Sequence, residues 1–491
     1  MYSRIKAALS LSALALVLFA GAAGSADAAA PSLRVEGNQI RDTATGAEFI
    51  PRGVNWPSFE YACVQGWGYS NDGATPATAQ AMLEWNINTV RIPLNQDCWL
   101  GDDGQPRNTL LGPNLTPAGY RTAVARFVDD LTDAGIAVIL DLHWTGQQGT
   151  VSDGLRPMAD DRSDDFWTSV ATRFRSEPSL IFDVFNEPHS RWNPAAGKWA
   201  FEQSWRCWAN GGCTAPDQPD TETTIDGRTY TTIGMKSLVA AVRAAGAAQP
   251  IILGGLDYAN DLSGWREAAP ADTQLIAGFH NYPNKPCGVQ SCWSSEIAAL
   301  ATHVPVLTSE LGQNDCRANF VSKYMDWADR QGIGYLAWAW WDLDAAELGA
   351  PGCTNFALID DLDGTPTPGY GTAFKAHLKA PLGKNLAPVL RIGPDLKIHG
   401  AKIKGGKLRA QFRLEPLATG KLKIRQDASK LKGGRITKRR RVFKTTAPIN
   451  SGRSHIVMTV KKGWRAQRLF VTYAGNELVL PGKTTKRLKG K

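Results

Sequence analysis

The chain has 491 residues, which is too long for one compact core and predicts two domains, one of them of barrel size. The formal net charge of +9 is divided unevenly, because 28 of the 55 Lys and Arg but 4 of the 46 Asp and Glu lie from Asn385 onward. That segment therefore carries +24 and the rest of the chain −15. This division excludes a uniformly basic protein and favours two differently built domains.

The first 30 residues have the pattern of a secretory signal peptide. Arg4 and Lys6 precede an apolar stretch from Ala7 to Ala20, and Ala26-Asp27-Ala28 has the small residues that signal peptidase requires. The apolar stretch is shorter than the ~20 residues that cross a bilayer, which argues against a membrane anchor. The eight cysteines, an even number, suit an oxidising compartment. We therefore predict a secreted, extracellular protein.

Eight short apolar segments alternate with amphipathic ones up to Gly383, which predicts a (β/α)₈ TIM barrel over residues 31–383. A Thr-Pro helix start and helical spacing predict a helix at 116–134, and a hairpin at 33–41 is expected to close the bottom of the barrel. The longest insertion, 192–230, follows the fourth strand. The predicted strands are 48–55, 89–93, 137–143, 180–186, 250–254, 275–282, 305–310 and 334–341.

The pattern changes after a linker at 381–388. Residues 384–491 alternate apolar and polar positions between turn signals, which predicts about seven short strands in a small all-β, sandwich-like domain. Its basic run, Lys438 to Arg441, predicts contact with an anionic polymer or cell surface, although a solvated sheet face is the simpler interpretation. Trp464, Phe470 and Tyr473 are too few to indicate a carbohydrate-binding module.

Polar residues follow the predicted barrel strands where parallel strands meet at one rim. Glu187 and Glu310 end the fourth and seventh strands, and two facing carboxylates are the equipment for cleaving a glycosidic bond. Either glutamate alone could instead be an ion-pair partner or a helix cap. The other rim candidates are Arg91, His143, Trp144, Asn186, His280, Tyr282, Trp338 and Trp340.

These motifs, Asp-Leu-His-Trp, Asn-Glu-Pro, His-Asn-Tyr and Ser-Glu-Leu-Gly, resemble those of the retaining β-glycanases of glycoside hydrolase family 5 over about residues 33–380. The resemblance implies that Glu187 is the acid/base, that Glu310 is the nucleophile and that Asn186 holds the sugar 2-hydroxyl. It also implies a surrounding shell made of Arg91, His143, His280, Tyr282 and Trp338.

Residue chemistry leads to the same assignment. Arg91 and the Tyr282 hydroxyl are suited to keep Glu310 anionic, whereas burial and the charge of Glu310 should raise the pKa of Glu187. Trp144, Trp338 and Trp340 are predicted sugar platforms, although alternate residues of the last strand can face the helices. No His-Glu-x-x-His motif or helical histidine spacing occurs, so neither a metal nor another cofactor is expected.

The leading functional hypothesis is an endo-β-1,4-glucanase, a cellulase acting as a monomer on β-glucan. A β-mannanase, a xyloglucanase, an exo-β-glycosidase and a non-catalytic glycan-binding wall protein are the alternatives, because loops rather than the catalytic shell decide the substrate. Adjacency in the barrel predicts four disulfides around the cleft. The predicted pairs are Cys63 with Cys98, Cys207 with Cys213, Cys287 with Cys292, and Cys316 with Cys353.

Overall fold

The structure is a computed structural model that describes residues 30–66, 68–101, 115–342 and 355–380, together with the backbone of seven strands between 395 and 487. The predicted signal peptide at 1–30 lies outside these residues except for its last position. Within the described residues, no helix is long and apolar enough to cross a membrane.

Eight parallel strands form a closed barrel, which confirms the predicted fold class. The barrel order is β3-β4-β5-β6-β11-β12-β13-β14, closed by pairing of β14 with β3. The strands up to residue 366 are β1 (Leu33–Glu36), β2 (Gln39–Asp42), β3 (Arg52–Asn55), β4 (Thr89–Asn95), β5 (Ala137–Trp144), β6 (Leu180–Asp183), β7 (Arg191–Asn193), β8 (Lys198–Phe201), β9 (Gly211–Pro216), β10 (Thr229–Ile233), β11 (Ile251–Gly254), β12 (Leu275–Asn281), β13 (Val306–Leu311), β14 (Gly334–Ala337), β15 (Ile359–Asp361) and β16 (Thr365–Pro366).

Helices surround the barrel. The predicted helix at 116–134 is α4, where the Thr116 hydroxyl accepts a hydrogen bond from the Gly119 amide and so caps the first turn. Its buried face, which includes Val124, Phe127 and Leu131, packs in the layer between strands and helices. The described helices are α1 (Ala62–Gln65), α2 (Pro76–Leu83), α3 (Gln96–Leu100), α4 (Pro117–Asp133), α5 (Ser163–Phe174), α6 (Trp205–Asn210), α7 (Met235–Ala244), α8 (Leu256–Ala259), α9 (Trp265–Ala268), α10 (Gln290–Cys292), a π-helical turn (Trp293–Ile297), α11 (Ala298–Ala301), α12 (Asn319–Gln331) and α13 (Tyr370–Lys379).

The β1–β2 hairpin closes the bottom of the barrel, as predicted. Leu33, Val35 and Ile40 of this hairpin form one buried cluster with strand residues such as Ile139 and Leu307. The barrel interior at this end is therefore filled with apolar side chains. The polar side chains of the candidate site lie at the opposite rim, where the strands end.

The insertion after the fourth barrel strand forms two antiparallel hairpins, β7–β8 and β9–β10, with α6 between them. Three of the predicted disulfides are present around this rim. Their Cα atoms are 6.3 Å apart for Cys63–Cys98, 6.0 Å for Cys207–Cys213 and 5.2 Å for Cys287–Cys292. The fourth predicted pair joins Cys316 to Cys353, and Cys353 lies outside the described residues.

The backbone after residue 394 forms seven strands in two antiparallel sheets, with orders β17-β18-β21 and β20-β19-β22-β23. The number of strands agrees with the sequence, while the sandwich packing and the domain limits remain predictions. These strands are β17 (Asp395–Lys404), β18 (Lys407–Glu415), β19 (Gly420–Lys432), β20 (Arg435–Ile449), β21 (Arg453–Thr459), β22 (Trp464–Tyr473) and β23 (Gly482–Arg487).

Candidate active site

Arg91 is the centre of the polar network at the C-terminal rim. It lies on β4 and is fully buried. Its guanidinium donates hydrogen bonds to Asp183 at 2.9 Å, to Glu310 at 2.9 Å and to Asn186 at 2.8 Å. Asp141 lies 3.0 Å from the same group. One cation therefore orients side chains from β5, β6 and β13 and from the segment that follows β6.

The charges of this network are strongly coupled. Burial opposes the positive charge of Arg91, but Asp141, Asp183 and Glu310 together raise its pKa, so the guanidinium remains charged. Burial raises the pKa values of Asp141 and Asp183, and the Arg91 charge acts in the opposite direction. Buried carboxylates of this kind depend on their cation, since an unpaired charge inside a protein is strongly unfavourable.

Glu310 is held by two donors from opposite sides. Arg91 binds its Oε1 at 2.9 Å, and the Tyr282 hydroxyl donates to its Oε2 at 2.6 Å. Burial and the neighbouring carboxylates raise the pKa of Tyr282, so its hydroxyl keeps the proton that it donates. Both predicted partners of Glu310 are thus in place, and they hold the carboxylate in a fixed orientation.

Glu187 lies four residues after the end of β6, the fourth barrel strand, and has a left-handed conformation with φ +53°. A non-glycine residue there costs of the order of 1–3 kcal/mol and commonly marks a functional site. Burial raises the pKa of its carboxyl to about 7, and the positive charge of Lys285 is the largest opposing influence. A smaller upward contribution comes from Asp220, and not from the charge of Glu310 that the sequence predicts as its source.

The two glutamates face each other across His280. One carboxylate oxygen of each and a nitrogen of His280 lie within 4.8 Å of one another. His280 Nδ1 is 2.9 Å from Glu187 Oε1, and its Nε2 is 3.1 Å from the Ser309 hydroxyl. By spacing alone these three residues could hold a metal ion. A second such group contains Cys287 and Cys292, which are joined in a disulfide.

Both rim histidines are neutral at ordinary pH. Burial lowers the pKa of His143 to about 4 and that of His280 to about 3. His143 Nδ1 lies 2.6 Å from Asp141 Oδ2, and its ring stacks on Trp338 with centroids 5.5 Å apart. A neutral His143 therefore donates from Nδ1 to Asp141, which leaves Nε2 as the unprotonated ring nitrogen.

Asn186 contributes a side-chain amide to the network. Its Oδ1 accepts the hydrogen bond from Arg91, which leaves the Nδ2 amide group as a buried donor without a hydrogen-bond partner among the described residues. A buried donor without a partner is unfavourable unless a ligand or water satisfies it. The amide is thus available to an oxygen of a bound molecule.

The three predicted sugar platforms differ in exposure. Trp338 and Trp144 are partly exposed at the rim, and Trp144 lies 6.2 Å from the Tyr61 ring between centroids. The prediction for Trp340 is wrong, because this side chain is fully buried and packs edge-on against Trp85 with centroids 4.9 Å apart. Trp340 is part of the layer between the barrel and its helices.

Sequence reasoning missed a second group of residues beside Glu187. The Lys285 ammonium lies over the Tyr258 ring, 3.5 Å from its centroid, and Tyr258 stacks on His189 at 4.4 Å. His189 Nδ1 is 2.8 Å from the backbone carbonyl of Glu187. The only signal in the sequence is that these residues follow barrel strands, since no motif or spacing distinguishes them.

A parallel eight-stranded barrel with paired carboxylates and partly exposed indoles at its C-terminal rim is the architecture of a glycoside hydrolase. A family model described as cellulase (glycosyl hydrolase family 5) matches residues 43–344. The match covers more than half of the chain, and the chain belongs to this family of glycosyl hydrolases.

Known proteins to which this chain is similar include two endoglucanases and a β-glucanase. Endoglucanase CelA of Streptomyces lividans is 23% identical over 266 residues, covering 53% of this chain and 47% of that protein. The manganese dependent endoglucanase Eg5A of Phanerodontia chrysosporium is 23% identical over 283 residues, covering 52% and 60%. The chain thus spans less than two thirds of either relative. The β-glucanase SdGluc5_26A from Saccharophagus degradans shares the fold, with a TM-score of 0.51 at 20% identity over 71% of this chain and 93% of that one.

Proposed function

We propose that this protein is a secreted endo-β-1,4-glucanase that hydrolyses β-glucan with retention of configuration. The observation that carries the proposal is the pairing of Glu187 and Glu310, whose nearest carboxylate oxygens lie within 4.8 Å. Retaining enzymes place the two carboxyl groups ~5–5.5 Å apart, whereas inverting enzymes leave ~6.5–9.5 Å for a water molecule.

In the first step, Glu310 attacks the anomeric carbon as Glu187 donates its proton to the leaving oxygen. Arg91 and Tyr282 hold Glu310 with both hydrogen bonds directed at its carboxylate, so the nucleophile needs no reorientation. A pKa of about 7 keeps Glu187 largely protonated in mildly acidic solution, as a general acid requires. Asn186 Nδ2 is placed to donate to a substrate hydroxyl.

In the second step, a water molecule attacks the glycosyl ester of Glu310 while Glu187 accepts the proton from this water. The Lys285 charge favours the ionised form of Glu187, which can then accept this proton. The same carboxyl group therefore serves first as acid and then as base.

The descriptions of the relatives support a β-glucan substrate. Two are named endoglucanases, and a solved β-glucanase of the same fold carries cellotetraose. A β-mannanase, a xyloglucanase and an exo-acting enzyme remain alternatives, because the shared rim residues do not choose among them. One relative is named as manganese dependent. The mechanism proposed for this chain uses no metal, so a chelator should not reduce its activity.

The proposal also includes secretion of the enzyme and a binding role for its basic C-terminal segment. The N-terminal pattern and the three disulfides around the rim suit an extracellular enzyme. The balance of +24 from Asn385 onward suits retention on an anionic wall polymer, with affinity that falls as salt rises.

The test is reducing-sugar release from carboxymethylcellulose, glucomannan, xyloglucan and laminarin, with Glu187→Gln and Glu310→Gln as matched isosteric variants. We expect both to lose turnover on polysaccharide, and only Glu187→Gln to keep activity on an aryl glycoside with a good leaving group and to be rescued by azide. The reverse pattern would exchange the two roles. Initial formation of the α-anomer from a β-linked substrate, observed by NMR, would exclude retention.

A further inference from the structure

We propose that the β7–β8 hairpin is a polysaccharide-binding surface, on which Trp192 and Trp199 hold sugar units on the leaving-group side of the cleft. The inference rests on the proposed function, because it takes a β-glucan as the ligand and Glu187 as the acid. It adds a binding site outside the catalytic network, formed by an insertion.

The two tryptophans form a pair that points into solvent. Trp192 is 45% exposed and Trp199 is 49% exposed, which makes them, with Val289, the exposed large hydrophobic side chains of the described residues. They are direct cross-strand partners, and their rings meet edge to face with centroids 5.2 Å apart. A single exposed apolar side chain is ordinary on a protein surface, but two large ones that pair on a hairpin indicate an interaction site.

The hairpin is rigidly attached at its base. The Arg191 guanidinium donates to the backbone carbonyls of Pro219 at 3.0 Å and Asp220 at 2.9 Å. Phe201, which pairs with Arg191 across the base of the hairpin, is buried in a small cluster with Tyr230 and with Cys207 of the Cys207–Cys213 disulfide. The rings are thus preorganised, and a ligand that binds them does not have to order the loop.

The hairpin is close to the reacting carboxylate along the chain. Trp192 follows Glu187 by five residues, so the two are separated by at most about 18 Å. Asp220, whose carbonyl anchors Arg191, also acts on the charge of Glu187. In the proposed mechanism Glu187 is the carboxylate on the leaving-group side, so a hairpin within this distance of it is within reach of the departing chain.

The size of the patch favours a sugar over a protein partner. Two half-exposed indoles offer about 200 Å², whereas a stable protein interface buries about 800 Å² on each partner. The two indole rings lie at 82° to each other, so a sugar ring can stack on the exposed face of one indole while the second indole flanks it. The occupant inferred is therefore a single polysaccharide chain rather than a second copy of this protein.

The experiment measures binding and turnover separately. Affinity electrophoresis of the full chain in gels containing hydroxyethylcellulose reports binding, with Glu310→Gln as the background so that the polymer stays intact. The test variant is Trp192→Ala/Trp199→Ala, and the ring-preserving control is Trp192→Tyr/Trp199→Tyr. Val289→Ala controls for removal of an exposed apolar side chain elsewhere.

We expect the double alanine variant to bind the polymer about tenfold more weakly, and both controls to bind within about twofold of the parent. Without the Glu310 substitution, KM for the polymer should rise by the same factor, while kcat on an aryl cellobioside stays unchanged. Unchanged polymer binding by the double alanine variant would overturn the inference. An equal loss on the aryl cellobioside, or a parent dimer that the substitution dissociates, would also overturn it. If the parent cleaves no glucan but loses polymer binding with the two tryptophans, the surface is supported and the proposed enzyme activity fails.

Discussion

Removal of Arg91 should make the stability of the barrel depend on pH in a predictable direction. Arg91→Met keeps much of the side-chain volume but withdraws the only cation within 3.0 Å of Asp141, Asp183 and Glu310 among the described residues. Breaking a buried ion pair by deleting one partner costs ~3–5 kcal/mol. At roughly 2 °C per kcal/mol for a domain of this size, the midpoint of thermal unfolding should fall by about 6–10 °C near neutral pH.

The sign of the pH dependence follows from the buried aspartates. Burial raises the pKa values of Asp141 and Asp183 while Arg91 lowers them, so the variant raises both further. A group with a raised pKa in the folded state contributes stability that is present below its unfolded pKa of ~3.9 and is lost as pH rises through the folded value. If the pKa of each aspartate rises by about one more unit, the free energy of unfolding of the variant falls a further ~2.7 kcal/mol below that of the parent at alkaline pH.

The assay is thermal unfolding of the parent and of Arg91→Met at pH 5.0 and pH 8.5. The matched control is Arg52→Met at the opposite end of the barrel, where Asp329 lies 3.6 Å from the guanidinium and keeps a hydrogen bond from the Tyr335 hydroxyl. We expect the deficit of Arg91→Met to be clearly larger at pH 8.5 and that of Arg52→Met to change little. A deficit of Arg91→Met that is constant, or larger at pH 5.0, would refute the reasoning.

Three further predictions test separate parts of the molecule. Lys285→Met should raise the pKa of Glu187 and move the alkaline limb of the pH–kcat/KM profile to higher pH. Lys323→Met, which removes another partly buried lysine over an aromatic ring, should leave the limb in place. Burial raises the pKa of Glu60 to about 8. Glu60→Gln should therefore change the free energy of unfolding little at pH 5 and increase it above pH 8, as measured by urea unfolding. No increase at high pH would contradict this. Truncation after Gly383 should preserve turnover of soluble β-glucan and abolish salt-sensitive retention on pectin, and retention on cellulose that resists salt would point to a carbohydrate-binding module instead.

The barrel and its pair of rim glutamates could be predicted because one physical rule governs both. A strand buried on both faces is a continuous apolar run, and a polar residue that ends such a run lies at the rim. This rule placed Glu187, Glu310 and Arg91 together from separate parts of the chain, and the structure brings them into one network.

This rule does not extend to residues that lie beyond the observed end of a strand. Trp338 and Trp340 are both predicted rim residues because they end the eighth predicted strand, 334–341, but β14 ends at Ala337, before either of them. Trp340 therefore turns into the core beside Trp85. Lys285 and Asp220 escaped prediction for the same reason, because loops place them by packing that leaves no period in the sequence.

The positions of the positive charges in the cleft suit the proposed reaction. The proposed transition state develops positive charge at the anomeric carbon, so a free cation beside that carbon would oppose it. Burial keeps His143 and His280 neutral, and the charge of Arg91 is shared among three carboxylates. Lys285 lies instead beside Glu187, where its charge favours the ionised carboxylate that must accept a proton in the second step. This cation, which a loop supplies, thus acts on the proposed acid/base, whose pKa has to serve both halves of the proposed reaction.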